Sequence, residues 1–406
     1  MAGGPGEHRD DKTATGLIHH PYVAPADFES PVVGVHKAST VFFPTMAALR
    51  ARSWVDKSAY TYGLHGTPTT FTLEARLATL EHARHVLLAP SGLSALTVVN
   101  MALLKQGDAM LLPDNVYFPS KDFARHEMAA WGVAHRLYDA MSPASLAALL
   151  TPDVKLVWLE APGSVTLEFP DLPALIALVR QQAPQAVIAL DNTWGAGLAF
   201  NPFELTGWDG RVHGADLTIH ALTKYPSGGG DVLMGSIACR DQALYEKLAW
   251  THSRLGLGVG ANDAETLLRA LPSLPLRYHA QDAAARRIAA WAVQQPQLVR
   301  VLHPALADSP GHSHWAALCS AAAGLLTLEF DSRYSAAQVD AFVDGLKYFR
   351  IGWSWGGPVS LAVSYNGQTL RKLGSPYQGM LVRLCIGLEA FDDLIADLAA
   401  GLERLG

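Results

Sequence analysis

Ala186, Val187, Ile188, Ala189 and Leu190 form an apolar run that closes on Asp191, Asn192, Thr193 and Trp194. A second run leads to Thr223, Lys224 and Tyr225, just ahead of Ser227, Gly228, Gly229, Gly230 and Asp231. Short apolar runs bounded by turn residues are the mark of strands buried on both faces. Working outward from this stretch, similar runs occur at His85–Ala89, Ala109–Leu112, Leu156–Leu159, Leu217–Ile219 and Ser236–Cys239. Helical stretches separate them: one carries Leu73, Leu77 and Leu80, another spans Leu172–Arg180. Strands alternating with helices predict an α/β fold with a mostly parallel central sheet covered by helices. Ligands of such sheets collect at the carboxyl ends of the strands, where Asp191 stands and to which Lys224 is close.

A lysine and a buried carboxylate are the two protein groups that pyridoxal phosphate needs most. The lysine holds its aldehyde as a Schiff base, and the carboxylate keeps the ring nitrogen protonated by an ion pair in low dielectric. Lys224 and Asp191 supply that pair. Each also has an ordinary alternative: an Asp after an apolar strand caps turns and helices, and a Thr-Lys-Tyr beside glycines is a common solvated loop.

The chain has 406 residues, enough for two or three domains with ample core. From about Asn262 the texture shifts to Ala/Leu/Arg-rich helical runs, Ala264–Ala270 and Tyr278–Val293, with strands near Leu325–Phe330 and Leu381–Ile386. Helical segments at Ala336–Leu346 and Asp392–Arg404 complete a smaller α+β domain. The expected organisation is an arm over residues 1–66, a cofactor-binding domain over 67–262 and a C-terminal α+β domain over 263–406. The first dozen residues read as a frayed terminus. The irregular stretch after Pro21 carries Tyr22, Phe28, Phe42, Phe43, Trp54, Tyr60 and Tyr62, more aromatic surface than a solvated loop tolerates, so it is expected to lie along another subunit or the main domain.

Half of the residues are hydrophobic and 17% are charged, which marks a globular chain. A formal charge of −6 gives no electrostatic case for nucleic acid or an anionic membrane surface. Cys239, Cys319 and Cys385 are widely spaced and odd in number, which argues against a disulfide framework and fits a reducing cytoplasm. No apolar run approaches the roughly 20 residues of a spanning helix, and no charged start followed by an apolar stretch opens the chain. The histidine spacings fit no standard zinc site, so no metal is expected. Gly228–Gly230 lacks the lysine-plus-hydroxyl ending of a nucleotide phosphate loop.

Further candidates stand at strand ends. After His85–Ala89 come Pro90, Ser91, Gly92, Leu93 and Ser94, opening a helical run whose first N–H groups suit a phosphate; the alternative is an ordinary cap using Ser91. The Thr223 hydroxyl either joins that phosphate or bonds to backbone. Tyr117, in the loop after Ala109–Leu112, is placed to stack on a cofactor ring or simply to pack. Arg383 lies inside an apolar strand, where its fork matches a substrate carboxylate; otherwise it is an edge arginine facing water. Trp353, Ser354, Trp355, Gly356 and Gly357 form an aromatic, glycine-rich loop suited to walling a pocket.

Taken together these residues resemble the Cys/Met-metabolism branch of the fold type I pyridoxal-phosphate enzymes. The likeness runs from about Thr61 to the end through Tyr62-Gly63, Pro90-Ser91-Gly92, Gln106-Gly107-Asp108, Tyr117, Glu160-Ala161-Pro162-Gly163-Ser164, Asp191-Asn192-Thr193-Trp194, Thr223-Lys224-Tyr225, Ser354-Trp355-Gly356-Gly357 and Arg383-Leu384-Cys385-Ile386-Gly387-Leu388-Glu389. Trp355 and Pro162-Gly163-Ser164 point to the β-lyase branch.

The resemblance implies that Lys224 forms the Schiff base and shuttles protons, Asp191 pairs with the ring nitrogen and Tyr117 stacks on the ring. It also implies that Gly92, Leu93 and Thr223 hold the phosphate with Tyr62 of a neighbouring subunit, and that Arg383 and Ser354 bind the α-carboxylate beside Trp355. A homotetramer built from dimers with shared active sites would follow. The implied reaction is β-elimination from L-cystathionine, in the service of methionine biosynthesis. The alternatives are a cysteine or S-alkylcysteine lyase, a γ-acting cystathionine lyase or synthase, and a catalytically weak regulatory homologue. Two departures bear on substrate and cofactor binding: Leu64 and His65 follow Gly63 where the family has arginine, and Pro358 and Val359 follow Gly357 where it has a glutamate two residues on.

Overall fold

The computed structural model describes residues 13–20, 30 and 32–405. The expected frayed terminus, residues 1–12, lies outside the described residues, as do 21–29 and 31 of the expected arm.

Seven strands build the larger sheet: β1 (His85–Ala89), β2 (Ala109–Pro113), β3 (Ala134–Tyr138), β4 (Val154–Glu160), β5 (Val187–Asp191), β8 (Leu217–His220) and β9 (Gly235–Cys239). The intervening β6 (Leu205–Thr206) and β7 (Val212–His213) form a separate two-stranded pair. Strand order in the large sheet is β1-β9-β8-β5-β4-β2-β3. β9 runs antiparallel to both neighbours, and every other pairing is parallel. The carboxyl ends of β1, β2, β4, β5 and β8 therefore share one edge. The expected mostly parallel sheet is present, with β9 as the one reversed strand.

The pleat explains the apolar runs. Along β4, Val157 and Leu159 join the core that holds Leu73 and Leu77 of the helix Pro68–Leu80, while Leu156 and Trp158 join the core that holds Leu96 and Val99 of the helix Gly92–Leu103. Both faces are covered, so alternation of polar and apolar residues disappears. No apolar run marks β3, because Ala134 is exposed and His135 and Arg136 are only partly buried; β1, the sheet's other edge, is buried from Val86 to Ala89 and does read as an apolar run.

The second sheet holds β10 (Leu298–Leu302), β11 (Leu325–Phe330), β12 (Arg350–Ile351), β13 (Leu361–Asn366) and β14 (Met380–Cys385), in the order β10-β11-β14-β13-β12. It encloses a core of its own, in which Leu326, Leu328, Val382 and Leu384 meet Ile288, Phe342, Leu394 and Leu398. β14 is the central strand, so the edge alternative for Arg383 does not apply.

A polar cluster sits inside the larger core. Glu81, fully buried at the end of the helix Pro68–Leu80, places Oε1 2.7 Å from His220 Nδ1 and accepts at Oε2 from Asn192 Nδ2 (3.0 Å) and Thr218 Oγ1 (3.4 Å). One carboxylate thus ties a helix to the ends of β5 and β8, the two strands that lead to Asp191 and Lys224. Buried donors without acceptors cost about 1–3 kcal/mol each. Glu81→Leu is therefore expected to lower stability by about 3 kcal/mol or more, read as a lower denaturant midpoint; an unchanged midpoint would remove Glu81 from this role.

Candidate active site

Asp191 ends β5, recessed at the carboxyl edge of the sheet. Its Oδ1 accepts from the Thr193 N–H (3.0 Å) and the Thr193 hydroxyl (2.5 Å). The same hydroxyl oxygen accepts from the Ala221 N–H at 2.9 Å, which ties Asp191 to the loop carrying Lys224. Burial pushes the Asp191 carboxyl up, and the two bonds from Thr193 pull it down. With Oδ1 occupied, Oδ2 is left for a partner in the cleft.

Lys224 follows β8 in a tight turn, its N–H bonded to the Ala221 carbonyl at 3.0 Å. The Ser227 hydroxyl donates to the carbonyls of Thr223 (2.9 Å) and Lys224 (3.1 Å) and so pins that turn. Nζ donates to Ser354 Oγ at 3.1 Å and lies 5.3 Å from the centre of the Trp355 ring. Burial, then the nearby Arg383 guanidinium, lowers the Lys224 amine to about 8. The loop bearing Ser354 and Trp355 comes this close because Gly356 takes φ +79, and a Cβ there would sit 2.9 Å from the Tyr225 nitrogen.

Arg383 projects from the centre of the second sheet and is 8% exposed. Its Nη2 donates to the Ser354 carbonyl at 3.4 Å, and its guanidinium lies 5.8 Å from the Tyr365 ring centre. Nε is buried and has no acceptor among the described residues. A buried guanidinium with unmet donors is a receptor for a carboxylate.

At the neighbouring strand end, Ser91 caps the helix Gly92–Leu103: its hydroxyl accepts from the Ser94 N–H at 3.0 Å and its carbonyl from the Ala95 N–H. The cap leaves the N–H groups of Gly92 and Leu93 without an acceptor among the described residues, so the cap and the anion site are compatible. A Cβ on Gly92 would come within 2.6 Å of the Ala221 side chain, which keeps this helix end hard against the Lys224 loop. The Thr223 hydroxyl, by contrast, is bonded to backbone, donating to the Met234 carbonyl and accepting from the Met234 N–H at 3.3 Å each.

Tyr117 stands half-exposed beside the same edge, its phenol pushed up by burial and then by Asp191. Its N–H donates to Glu160 Oε2 at 2.8 Å. Glu160, at the end of β4, was given no role from sequence. The signal was available, since an apolar run closing on a carboxylate is the pattern that singled out Asp191. Tyr62 lies on the arm, half-exposed, edge-on to His65 and bridged to Thr40. His65 is held within its own chain: it stacks on Trp54, with ring centres 4.4 Å apart, and its nitrogens lie 2.9 Å from Thr61 Oγ1 and 3.4 Å from Ser253 Oγ. Val359 is exposed. No group of metal-ligating residues occurs among the described residues.

Residues 14–403 match the family model described as "Cys/Met metabolism PLP-dependent enzyme". The chain is 34% identical to the cystathionine β-lyase of Salmonella typhimurium over 91% of its own length and 93% of that protein. It is 30% identical to the L-methionine γ-lyase of Pseudomonas putida over 96% and 97% of the two chains. The crystal structure of cystathionine γ-synthase from Xanthomonas oryzae pv. oryzae, in complex with aminoacrylate and cysteine, superposes with a TM-score of 0.86 at 28% identity, covering 98% of this chain and 99% of that one. The chain belongs to the Cys/Met metabolism family of pyridoxal-phosphate-dependent enzymes, with the fold type I α/β architecture.

The residues present suit that cofactor: a lysine lowered by burial and by Arg383, a carboxylate with Oδ2 unbonded among the described residues, and a helix end with two N–H groups lacking acceptors among them stand at one edge of the sheet. A lysine must be neutral to attack the cofactor's aldehyde. The rate at which cofactor-free protein takes up pyridoxal phosphate is therefore expected to rise with pH and to level off above about 8. Arg383→Leu removes a like charge and should move that midpoint to higher pH; an unmoved midpoint would show that Arg383 does not tune Lys224.

Proposed function

We propose that the protein is a carbon–sulfur β-lyase that cleaves L-cystathionine to homocysteine, pyruvate and ammonia. The observation that carries this reading is the placement of Lys224 Nζ between the Ser354 hydroxyl and the Trp355 ring, beside the buried Arg383. The preference for β- over γ-elimination leans on Trp355 and on Pro162-Gly163-Ser164.

Pyridoxal phosphate supplies an electron sink for negative charge at the substrate Cα. Lys224 would hold it, with Asp191 opposite the ring nitrogen, Tyr117 over the ring, and the N–H groups of Gly92 and Leu93 at the phosphate; the Thr223 hydroxyl stays with the Met234 backbone. Arg383, with Ser354 beside it, binds the substrate α-carboxylate and so fixes the Cα–H bond toward Lys224. Lys224, neutral near its lowered pKa, takes the Cα proton as base and then returns a proton to the departing sulfur. The Trp355 ring walls the cleft on the side of Nζ and limits the approach of water. Water completes the balance, as hydrolysis of the three-carbon fragment releases pyruvate and ammonia.

Assembly as a homotetramer of dimers, in the cytoplasm, belongs to the same proposal. Phe42, Met46 and Tyr62 stand exposed on the arm, as a surface meeting a second copy would. No helix among the described residues is long and apolar enough to cross a membrane. The second reading is a lyase acting on cysteine or its S-alkyl derivatives. It is favoured by the apolar Leu64 and Val359 and by a His65 already held within its own chain.

The test is to give the cofactor-loaded protein L-cystathionine and identify the products. Pyruvate with homocysteine is expected. Release of 2-oxobutyrate with cysteine would replace this reading by γ-elimination, and pyruvate from cysteine or S-alkylcysteines alone would favour the second reading. Lys224→Ala is expected to abolish turnover and the cofactor's visible absorbance band; a variant that still turned over would refute the assignment of Lys224.

A further inference from the structure

Glu160 and Asp191 close β4 and β5 and are register partners across a parallel pairing. Their side chains leave the sheet on the same face, about one strand spacing of 4.8 Å apart. Two carboxylates so placed in a recessed cleft cannot both ionise without strong repulsion. Their hydrogen bonds differ. Asp191 receives two donors from Thr193 on one oxygen, which suits an anion. Glu160 receives one, the Tyr117 N–H on Oε2, and no other hydrogen bond to its carboxyl is present among the described residues.

The cations that face Glu160 are engaged elsewhere. Lys121 donates to the Asp114 carbonyl at 2.6 Å and lies 3.4 Å from the Asp114 carboxylate. Arg371 is held by Ser164, Thr166 and Glu168. Tyr117 and Tyr138 are the other titratable groups that feel Glu160, and both are phenols raised by burial. Burial, and then Asp191, drives the Glu160 carboxyl well above the usual range.

The Tyr117 side chain makes no capping hydrogen bond and its ring is half-exposed, so its N–H bond to Glu160 is the contact that fixes its backbone to the end of β4, while Lys121 ties the same helix, Phe118–Phe123, to Asp114 after β2. We propose that Glu160 is a positioning residue: as the neutral acid it clamps the backbone of Tyr117 over the cleft and leaves the negative charge of the carboxylate pair to Asp191. This rests on the roles proposed above for Tyr117 and Asp191.

The experiment compares Glu160→Gln and Glu160→Leu as holoenzymes, reading the visible absorbance and circular dichroism of bound pyridoxal phosphate from neutral to alkaline pH, together with kcat and KM. Gln keeps a neutral acceptor for the Tyr117 N–H. It is expected to preserve the dichroic band, its pH midpoint and turnover to within about twofold. Leu leaves the N–H unpaired and should weaken the band and lower kcat about tenfold, the scale of one lost hydrogen bond. In a Tyr117→Ala background the Leu change should add little further loss.

A Gln variant as damaged as the Leu variant, or with its midpoint moved by about one pH unit, would show that Glu160 acts as a charge and would overturn the proposal. So would a Leu variant with an unchanged band and turnover. If the Leu variant does not fold, the Gln titration alone decides. Parent protein with no cofactor band at all would instead mean that the site reading has failed.

Discussion

A negative charge kept at the carboxyl edge of a buried sheet is the constraint on which this site depends. Desolvation works against an ionised Asp191, and the two donors from Thr193 offset part of that cost. Because the Thr193 hydroxyl also accepts from the Ala221 backbone, the charge and the lysine loop are held by one group. Below them Glu81 joins the ends of β5 and β8 through Asn192, Thr218 and His220. The separation between Asp191 and Lys224 is therefore set by the core and not by the flexible reach of the two side chains.

The second constraint is a repulsion. Lys224 and Arg383 approach each other from different sheets, and burial together with the neighbouring guanidinium leaves the lysine amine easier to deprotonate. Folding must hold two like charges together. It does so by packing the loop of Ser354, Trp355 and Gly356 against the Lys224–Tyr225 backbone, with the Ser354 hydroxyl accepting from Nζ and the Ser354 carbonyl accepting from Arg383. Only glycine at 356 allows that approach. An arginine with unmet donors and a lysine near neutrality are unfavourable for an empty cleft and suitable for one that receives an amino acid.

Much of the fold was legible because β1, β2, β4, β5, β8 and β9 are covered on both faces and so read as continuous apolar runs. β3 was not, since its first four residues are exposed or only partly buried and His135 and Arg136 interrupt the run. Lys224, Asp191 and Arg383 were legible because each is a charge set in or beside apolar sequence. Glu160 follows the same rule, yet a carboxylate's meaning depends on its neighbour across the sheet, and register is not written in either strand alone.

The sequence by itself determined the alternation of strands and helices, the family and the chemical types available at the strand ends, because burial periodicity and charge are local properties of the chain. Tertiary structure decided which of those groups meet. It placed Arg383 on a central strand and not an edge, directed the Thr223 hydroxyl to the Met234 backbone, and set His65 against Trp54. It also put two carboxylates side by side at the ends of β4 and β5. Each of these outcomes turns on residues far apart in the chain being brought within a few ångströms, and only the packing of the two sheets and their helices does that.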